Sequence, residues 1–330
     1  MITTTPTTKP LLRVQDLTTT FKVPHGSVKA VDHVSLELRR GETLGLVGES
    51  GSGKSMTALS ILRLVQPPGD THGGPIEFNG RQDLLELPER EMRKIRGAEI
   101  GFIFQEPMTA LNPVFTIGDQ IAEALLVHHK ASRSAARSKA IELLTAVRIT
   151  DPERRLRDYP HQLSGGMRQR VLIAIAIACQ PLLLIADEPT TALDVTIQAE
   201  ILDLLEEMKQ KFHLALLLIT HDLGVVAGHA DRVAVMYAGR IVEEGPMREI
   251  FHSPKHPYTQ GLLASIPGAA PGQRLHAIEG TVPNLAKLPP GCAFEPRCPK
   301  RFARCPTAPP PAYVVGAGRA ARCYLYDPEV

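Results

Sequence analysis

Features that would assign the chain to a membrane or secreted class are missing from its 330 residues. The longest apolar runs, residues 171–179 and 214–219, are well short of the roughly 18 to 20 residues that a membrane-spanning helix needs. Residues 1–10 are rich in threonine and lack the basic and apolar regions of a signal peptide. We therefore expect a cytosolic chain with no direct membrane span, which reaches a membrane only through a partner.

An excess of charge of one sign is missing too. The 37 basic and 35 acidic residues are interspersed and leave a formal net charge of +2. Nothing resembles the basic stripe of a nucleic-acid-binding protein or a polybasic membrane anchor, so we expect no nucleic-acid partner. The 43% hydrophobic content is enough for a large core and predicts a globular, α/β-rich protein.

The residues that are present point first to a phosphate-binding loop. Residues 48–55 read GESGSGKS and fit G-x-x-x-x-G-K-[ST], between an apolar strand and a helix whose apolar face runs from Ala58 to Val65. In such a loop, backbone N–H groups cradle phosphates, the lysine reaches the β- and γ-phosphates, and the hydroxyl binds Mg²⁺. The motif occurs once, so we predict one ATPase unit. The predicted ATP and Mg²⁺ ligands are Gly48, Ser50, Gly51, Ser52, Gly53, Lys54 and Ser55.

Two adjacent carboxylates follow a second apolar strand. Residues 182–186 are all apolar, which is typical of a parallel sheet covered on both faces, and Asp187 and Glu188 come next. The carboxyl edge of such a sheet is where ligands bind. We predict that Asp187 holds Mg²⁺ through water and that Glu188 polarises the attacking water. A helix N-cap would also explain an acidic pair, but the phosphate loop favours the catalytic interpretation.

The sequence between these motifs resembles the ATP-binding-cassette (ABC) ATPases. Leu163-Ser164-Gly165-Gly166-Met167 is similar to their signature, usually Leu-Ser-Gly-Gly-Gln. Gln105 falls at the Q-loop, Asp194 ends a Thr-Ala-Leu-Asp D-loop, His221 follows an apolar strand at the switch position, and Phe21 matches the aromatic position that stacks on adenine. The methionine at the fifth signature position removes the hydrogen bonds of the usual glutamine, but the serine and both glycines remain.

The resemblance, which covers about residues 12–251, implies a role for each of these residues. Ser164, Gly165 and Gly166 bind a γ-phosphate from the opposite side, Gln105 binds Mg²⁺ or the lytic water, and His221 contacts the γ-phosphate. Lys54 and Glu188 act on an ATP that a partner's signature closes, so the chain is half of a motor. The alternative of another class is a regulatory cassette that binds nucleotide without transport; Glu188 and His221 argue against it.

The resemblance also implies a fold. We expect an α/β protein with a RecA-like P-loop ATPase core, an antiparallel β subdomain and an α-helical subdomain inserted at about residues 107–165. Residues 1–250 form the nucleotide-binding domain, and residues 251–330 form a loop-rich, cysteine-containing extension. The sequence adds local detail, since Ala136, Ala140, Leu143, Leu144 and Val147 share a helical face behind a Ser132 cap, and residues 232–243 predict a hairpin around Gly239.

Two further stretches are similar to the ATPase subunits of dipeptide and oligopeptide importers: FQEPMTALNP at residues 104–113 and HPYT at residues 256–259. The similarity implies ATP hydrolysis that drives peptide uptake, at the cytoplasmic face of the inner membrane. The implied partners are a paralogous ATPase in a heterodimer, two transmembrane permeases and an extracytoplasmic peptide-binding protein. The same family serves nickel, glutathione and related cargos, so the cargo stays open.

Four cysteines lie in the proline-rich C-terminal part: Cys292, Cys298, Cys305 and Cys323. Their C-x5-C-x6-C-x17-C spacing fits neither the C-x2-C pairs of zinc ribbons nor a ferredoxin run. A cytosolic location argues against disulfides and for a metal site. In the importer family a similar tail is associated in some members with a 4Fe-4S cluster. We expect such a cluster in a structural role, with zinc or free thiols as alternatives, because a segment with little core needs a cross-link.

Overall fold

The computed structural model describes residues 9–24, 26–81, 83–266 and 278–329. In chain order the strands are β1 Leu12–Val23, β2 Gly26–Leu38, β3 Thr43–Val47, β4 Gly69–His72, β5 Ile76–Phe78, β6 Ile100–Ile103, β7 Leu183–Asp187, β8 Ala215–Thr220, β9 Arg232–Tyr237, β10 Arg240–Pro246, β11 Tyr313–Gly316 and β12 Arg319–Ala321. The α-helices are α1 Lys54–Ile61, α2 Glu89–Ile95, α3 Pro107–Ala110, α4 Ile117–His129, α5 Arg133–Ala146, α6 Pro152–Arg155, α7 Gly165–Ala176, α8 Val195–Phe212, α9 Leu223–Ala227, α10 Met247–His252 and α11 Pro257–Ala264.

The chain divides into two compact units. Unit 1 takes its described residues from 1–39, 43–86 and 219–330, and unit 2 consists of residues 40–42 and 87–218. No helix within the described ranges is both long enough and apolar enough to cross a membrane.

An antiparallel sheet forms one part of unit 1. Strand β1 pairs with β2, β4 and β5. In this sheet Leu12 faces Leu38 and Val14 faces Leu36, and all four side chains are buried. Buried and more exposed residues alternate over residues 12–15 of β1 and 34–38 of β2, so there one face of the sheet packs into the core while the other is more exposed.

The second sheet of unit 1 includes the strand that leads into the phosphate loop. Within this unit the strand order is β11-β12-β10-β9-β3, with β3 parallel to β9 and the other pairs antiparallel. All five residues of β3 are buried, as expected for a strand covered on both faces. The predicted hairpin is confirmed: β9 and β10 pair across Gly239, which has a φ of 83° that favours glycine. Strands β11 and β12 extend the same sheet from the C-terminal part of the chain.

Helix α1 ends earlier than its apolar pattern predicts. It stops at Ile61, Leu62 caps it, and Arg63 adopts a left-handed backbone with a φ of 53°. Ala58, Ile61 and Leu62 are buried as predicted, whereas Val65 lies beyond the helix and is only half-buried. The left-handed backbone at Arg63 ends the helix, and the prolines at positions 67 and 68 keep the chain from resuming it.

Unit 2 contains a parallel strand pair and most of the helices. Strands β6 and β7 pair in parallel, β8 follows on the other side of β7, and every residue of β7 is buried. Helix α7 packs so closely on β6 that a Cβ on Gly101 would lie 2.3 Å from the Ala176 carbonyl oxygen. The predicted face of α5 is buried throughout, and the Ser132 hydroxyl accepts the Ala135 N–H at 3.2 Å as its N-cap.

A buried carboxylate and a cluster of rings hold the C-terminal extension against β9 and β10. Glu243 is 1% exposed, and its oxygens accept the N–H groups of Lys255 and His256, both at 2.8 Å. The rings of Tyr237, Tyr258 and Phe294 pack with centroids 4.6 to 5.4 Å apart. The extension therefore has a core of its own, formed partly by residues of the preceding sheet.

His256 makes the stability of this extension depend on pH. Its Nδ1 accepts the Tyr258 N–H at 3.1 Å and caps α11, and complete burial lowers the pKa of the ring from 6.5 to about 3. The unfolded chain therefore binds one more proton below about pH 6.5, so the free energy of unfolding falls with decreasing pH by about 1.4 kcal/mol per unit. We expect His256→Asn to remove this slope in denaturant titrations between about pH 6.5 and 4. His252→Asn, at an exposed position, should retain it, and identical pH profiles for the two variants would contradict the assignment.

Candidate functional site

The phosphate loop of unit 1 is shaped by two glycines that have no room for a side chain. A Cβ on Gly48 would lie 2.1 Å from the Met236 carbonyl oxygen, and one on Gly53, at a φ of 106°, would lie 2.4 Å from that of Ala30. The Ser52 hydroxyl is buried and has no hydrogen-bond partner among the described residues. A tight loop at a helix N-terminus with a spare hydroxyl donor fits the phosphates of a nucleotide.

Lys54 lies folded against this loop. Its Nζ donates hydrogen bonds to the carbonyl oxygens of Gly48 at 2.8 Å and Glu49 at 3.1 Å, and the side chain is nearly inaccessible. The ammonium group is thus held where the loop curves, within reach of phosphates bound inside it. Ser55 follows in the first turn of α1 and is half-buried, while Ser50 and Gly51 are exposed at the tip of the loop.

Phe21 and His221 also belong to unit 1. Phe21 lies on β1 opposite Val28 and Gly69, and its ring packs on Gly69, where a Cβ would approach it to 2.7 Å. His221 is exposed just after β8, and the neighbouring Asp222 caps α9. These positions are compatible with the predicted adenine and γ-phosphate contacts, which stay predictions.

In unit 2 the carboxylate of Glu188 is oriented by two neighbours. Its Oε2 accepts hydrogen bonds from the Thr191 hydroxyl at 2.8 Å and from Gln105 Nε2 at 3.3 Å. Glu188 also has a left-handed backbone, with a φ of 45°. For a residue other than glycine this conformation costs about 1 kcal/mol or more, and such strained residues are common at functional sites. It follows directly on buried Asp187 at the end of β7. The structure therefore brings together two predicted catalytic residues, Gln105 and Glu188.

Thr191 is a site residue whose individual role the sequence does not reveal. Its hydroxyl donates a hydrogen bond to Glu188, three residues earlier in the chain, and the turn after β7 brings the two side chains together. A threonine three residues after a strand-end glutamate is the available signal, but many turns contain one.

The signature and the D-loop lie close together in unit 2. Ser164 caps α7 by accepting the Met167 N–H at 3.3 Å, and Asp194 caps α8 by accepting the Ile197 N–H at 3.0 Å. Gly166 of the signature packs against the start of α8, which follows the D-loop, since a Cβ on Gly166 would lie 3.0 Å from Ile197 Cγ2. Ser164, Gly165 and Asp194 are exposed. Two helix N-termini with free surface thus form one face, which suits an anion from outside the chain.

The predicted iron–sulfur cluster is wrong. Among the described residues, no group of three or more His, Cys, Asp or Glu side chains is placed to hold a metal ion, and the cysteines are free. Cys292, Cys298, Cys305 and Cys323 line one cavity of about 10 Å³, which is hardly enough for a single water. The same finding gives no support to the alternative of zinc, and the four thiols are unbonded in this structure. The extension is held together instead by the hydrogen bonds of Glu243 and by the packing of its aromatic rings.

Comparisons with known proteins fit this architecture. The family described as "ABC transporter" matches residues 31–191. A solved cassette, the dimeric MJ0796 in a post-hydrolysis state bound to ADP and Pi, superposes with a TM-score of 0.64 at 29% identity and covers 72% of this chain and 99% of its own. The fold is therefore that of an ABC ATPase cassette, with a RecA-like α/β core.

More similar relatives define the group within this class. The oligopeptide transport ATP-binding protein AppD of Bacillus subtilis (strain 168) is 52% identical over 97% of this chain and 98% of its own length. The dipeptide transport ATP-binding protein DppD of the same strain is 52% identical over 96% and 95%. Residues 242–305 match the "Oligopeptide/dipeptide transporter, C-terminal region". The chain belongs to the ABC transporter family, among its oligopeptide and dipeptide transport ATP-binding proteins.

The thiol of Cys292 should react slowly in the folded protein. Burial raises its pKa from 9.0 to about 11, so the thiolate fraction at pH 8 falls by about a hundredfold. We expect iodoacetamide to alkylate Cys292 about a hundredfold more slowly in native protein than in guanidinium, as followed by mass spectrometry of the peptide. Alkylation at the same rate in both conditions would show that the Cys292 thiol is not buried and that its pKa is not raised.

Proposed function

We propose that the chain is the ATP-hydrolysing subunit of an ABC importer for oligopeptides or dipeptides. The observation that carries the proposal is the carboxylate of Glu188, held at the end of a buried strand by Thr191 and Gln105. A binding-only regulatory cassette has no use for such an oriented carboxylate. The relatives whose names specify oligopeptide or dipeptide transport support the cargo class.

Nucleotide binding is assigned to the phosphate loop. Residues 48–55 wrap the phosphates with backbone N–H groups, and Lys54 leaves the loop carbonyls to pair with the β- and γ-phosphates. Ser55, Asp187 and Gln105 are the proposed Mg²⁺ ligands, directly or through water; the metal supplies neutralisation of phosphate charge. Phe21 stacks on the adenine ring.

Hydrolysis is assigned to Glu188 as the general base. Its carboxylate accepts a proton from the attacking water, with Gln105 positioning that water and His221 contacting the γ-phosphate. Because two hydrogen bonds fix the carboxylate before the water arrives, little reorganisation is needed during the reaction.

A second ATPase subunit completes the motor. The exposed face formed by Ser164, Gly165, Gly166 and Asp194 offers N–H donors to a γ-phosphate bound by another chain. The dimeric state of the solved cassette MJ0796 supports such an arrangement. We propose that the partner is a paralogous chain in a heterodimer.

Permease docking is assigned to an apolar surface of unit 2. Phe104, Met108, Val114 and Phe115, on or directly before the segment that follows Gln105, are 45 to 71% exposed, and Val127 of α4 is 66% exposed. A groove of about 920 Å³ lies beside Phe115 and Val127. Exposed apolar residues next to a groove are typical of a protein interface. Two permeases, fed by an extracytoplasmic peptide-binding protein, would hold the chain at the cytoplasmic face of the inner membrane.

We also propose a division of labour along the chain. Residues 1–250 bind and hydrolyse the nucleotide, with the helices between about residues 107 and 165 serving the permeases. Residues 251–330 form the extension that is typical of this transporter group.

Replacing Glu188 tests the catalytic assignment. In the complex assembled with its permeases, Glu188→Gln should lower steady-state ATP hydrolysis by about 10²- to 10⁴-fold, because the base is lost while ATP binding is retained. Glu91→Gln, which removes an exposed carboxylate paired with Lys94 outside the permease-facing helices, is the matched control and should hydrolyse ATP normally. Unchanged turnover in Glu188→Gln would remove this residue from its assigned role.

The need for a second subunit can be tested with the isolated chain. A monomer should bind ATP but hydrolyse it poorly, because no partner signature closes the site. Turnover should rise when the paralogous subunit is added, and Ser164→Ala in this chain should impair the partner's site. Brisk hydrolysis by a chain shown to be monomeric by light scattering would refute the shared site.

A further inference from the structure

The acidic residue of the phosphate loop, Glu49, faces the C-terminal extension. Its carboxylate accepts two hydrogen bonds from the guanidinium of Arg297, at 2.7 Å and 3.0 Å. The Arg297 side chain is 5% exposed and that of Glu49 is 29% exposed. Two parallel hydrogen bonds give an arginine–carboxylate pair a defined geometry. Because this pair is largely shielded from water, it should also be stronger than an exposed ion pair, which contributes little to stability.

Arg297 is held in place on its other sides. Its Nε donates to the Glu279 carbonyl oxygen at 2.9 Å, and the guanidinium lies 5.8 Å from the Tyr237 ring centroid and 6.0 Å from that of Phe294. The Glu49 carboxylate raises the pKa of Arg297 above its usual value, so the group stays charged. The guanidinium is therefore held on several sides, and its two bonds set where the Glu49 carboxylate lies.

Tyr258 makes a second contact with the same residue of the loop. Its hydroxyl accepts the backbone N–H of Glu49 at 2.9 Å, and the tyrosine is fully buried at the start of α11. The extension thus holds both the backbone and the side chain of Glu49 through two different elements.

The position of Glu49 matters for the rest of the loop. Its carbonyl oxygen accepts hydrogen bonds from Lys54 Nζ at 3.1 Å and from the Ser52 N–H at 3.2 Å. The curvature of the loop and the resting place of its lysine therefore both depend on where Glu49 is held.

We propose that Arg297 and Tyr258 are positioning residues of the phosphate loop, through which the C-terminal extension sets how tightly the loop binds the phosphates of ATP. The proposal rests on the proposed function, which makes this loop an ATP site. Neither residue needs to touch the nucleotide, since both act through Glu49. Preorganisation of the loop lowers the cost of ordering it when phosphates bind.

Nucleotide binding to the full-length chain tests this proposal. The affinities of Mg²⁺–ATP and Mg²⁺–tripolyphosphate are measured by competition with fluorescent N-methylanthraniloyl-ATP. Arg297→Gln and Glu49→Gln should each weaken both ligands by about tenfold, because a charge-assisted contact is lost. The double variant should bind no more weakly than either single variant, since both substitutions break the same contact.

Two further variants separate positioning from general stability. Arg301→Gln removes an exposed pair with Glu295 in the same extension and should bind ATP like the wild-type chain. Tyr258→Phe removes one hydroxyl and should weaken both ligands by about threefold with its ring packing intact. If thermal unfolding shows that Arg297→Gln is not folded, the affinity of Tyr258→Phe decides the test: a threefold loss supports the proposal and an unchanged affinity contradicts it.

The proposal would be overturned if Arg297→Gln bound both ligands within twofold of wild type, or if it bound tripolyphosphate as tightly as wild type does. It would also be overturned if the affinity losses of Arg297→Gln and Glu49→Gln multiplied in the double variant. A wild-type chain that binds no Mg²⁺–ATP would overturn the proposed function as well. Wild-type binding with unchanged binding in Arg297→Gln would overturn the positioning role alone.

Discussion

Close backbone packing around the phosphate loop is the constraint on which unit 1 depends. Gly48 and Gly53 lie so near the carbonyl oxygens of Met236 and Ala30 that any Cβ would collide with them. Ala30 belongs to β2 of the antiparallel sheet and Met236 to β9 of the second sheet. The loop is therefore supported by both sheets at once, and its glycines serve the packing as well as the approach of phosphates.

The C-terminal extension belongs to this support and is not an independent module. The composition of the extension, a proline-rich segment with four cysteines, predicts by itself that a cross-link is needed. In the structure it completes its core with Tyr237 from β9 and Glu243 from β10, so part of the required burial comes from the preceding sheet. The expectation of a metal was wrong because it treated the segment as if it folded by itself.

Much of the local structure could be predicted from residues close together in the chain. The cap at Ser132, the turn at Gly239 and the buried strand before Glu188 each depend on backbone preferences or on apolar patterns of a few residues. The apolar period predicts a helix that continues to Val65, but the left-handed backbone at Arg63, which no apolar pattern reveals, ends α1 before it. Within the candidate site, the pairing of Gln105 with Glu188 could be expected only from family resemblance, since 83 residues separate them.

Glycine spacing, apolar runs and capping side chains act over a few residues, so the local sequence is enough to locate the phosphate loop, the strand-end carboxylates and the helix caps. The contacts of those elements with distant parts of the chain follow from the folded structure instead. Glu49 and Arg297 are 248 residues apart, and no local preference of either one selects the other. The packing of the rings around Tyr258 and the burial of Glu243 place the extension where this pair can form, since burial and long-range hydrogen bonding are properties of the folded chain as a whole.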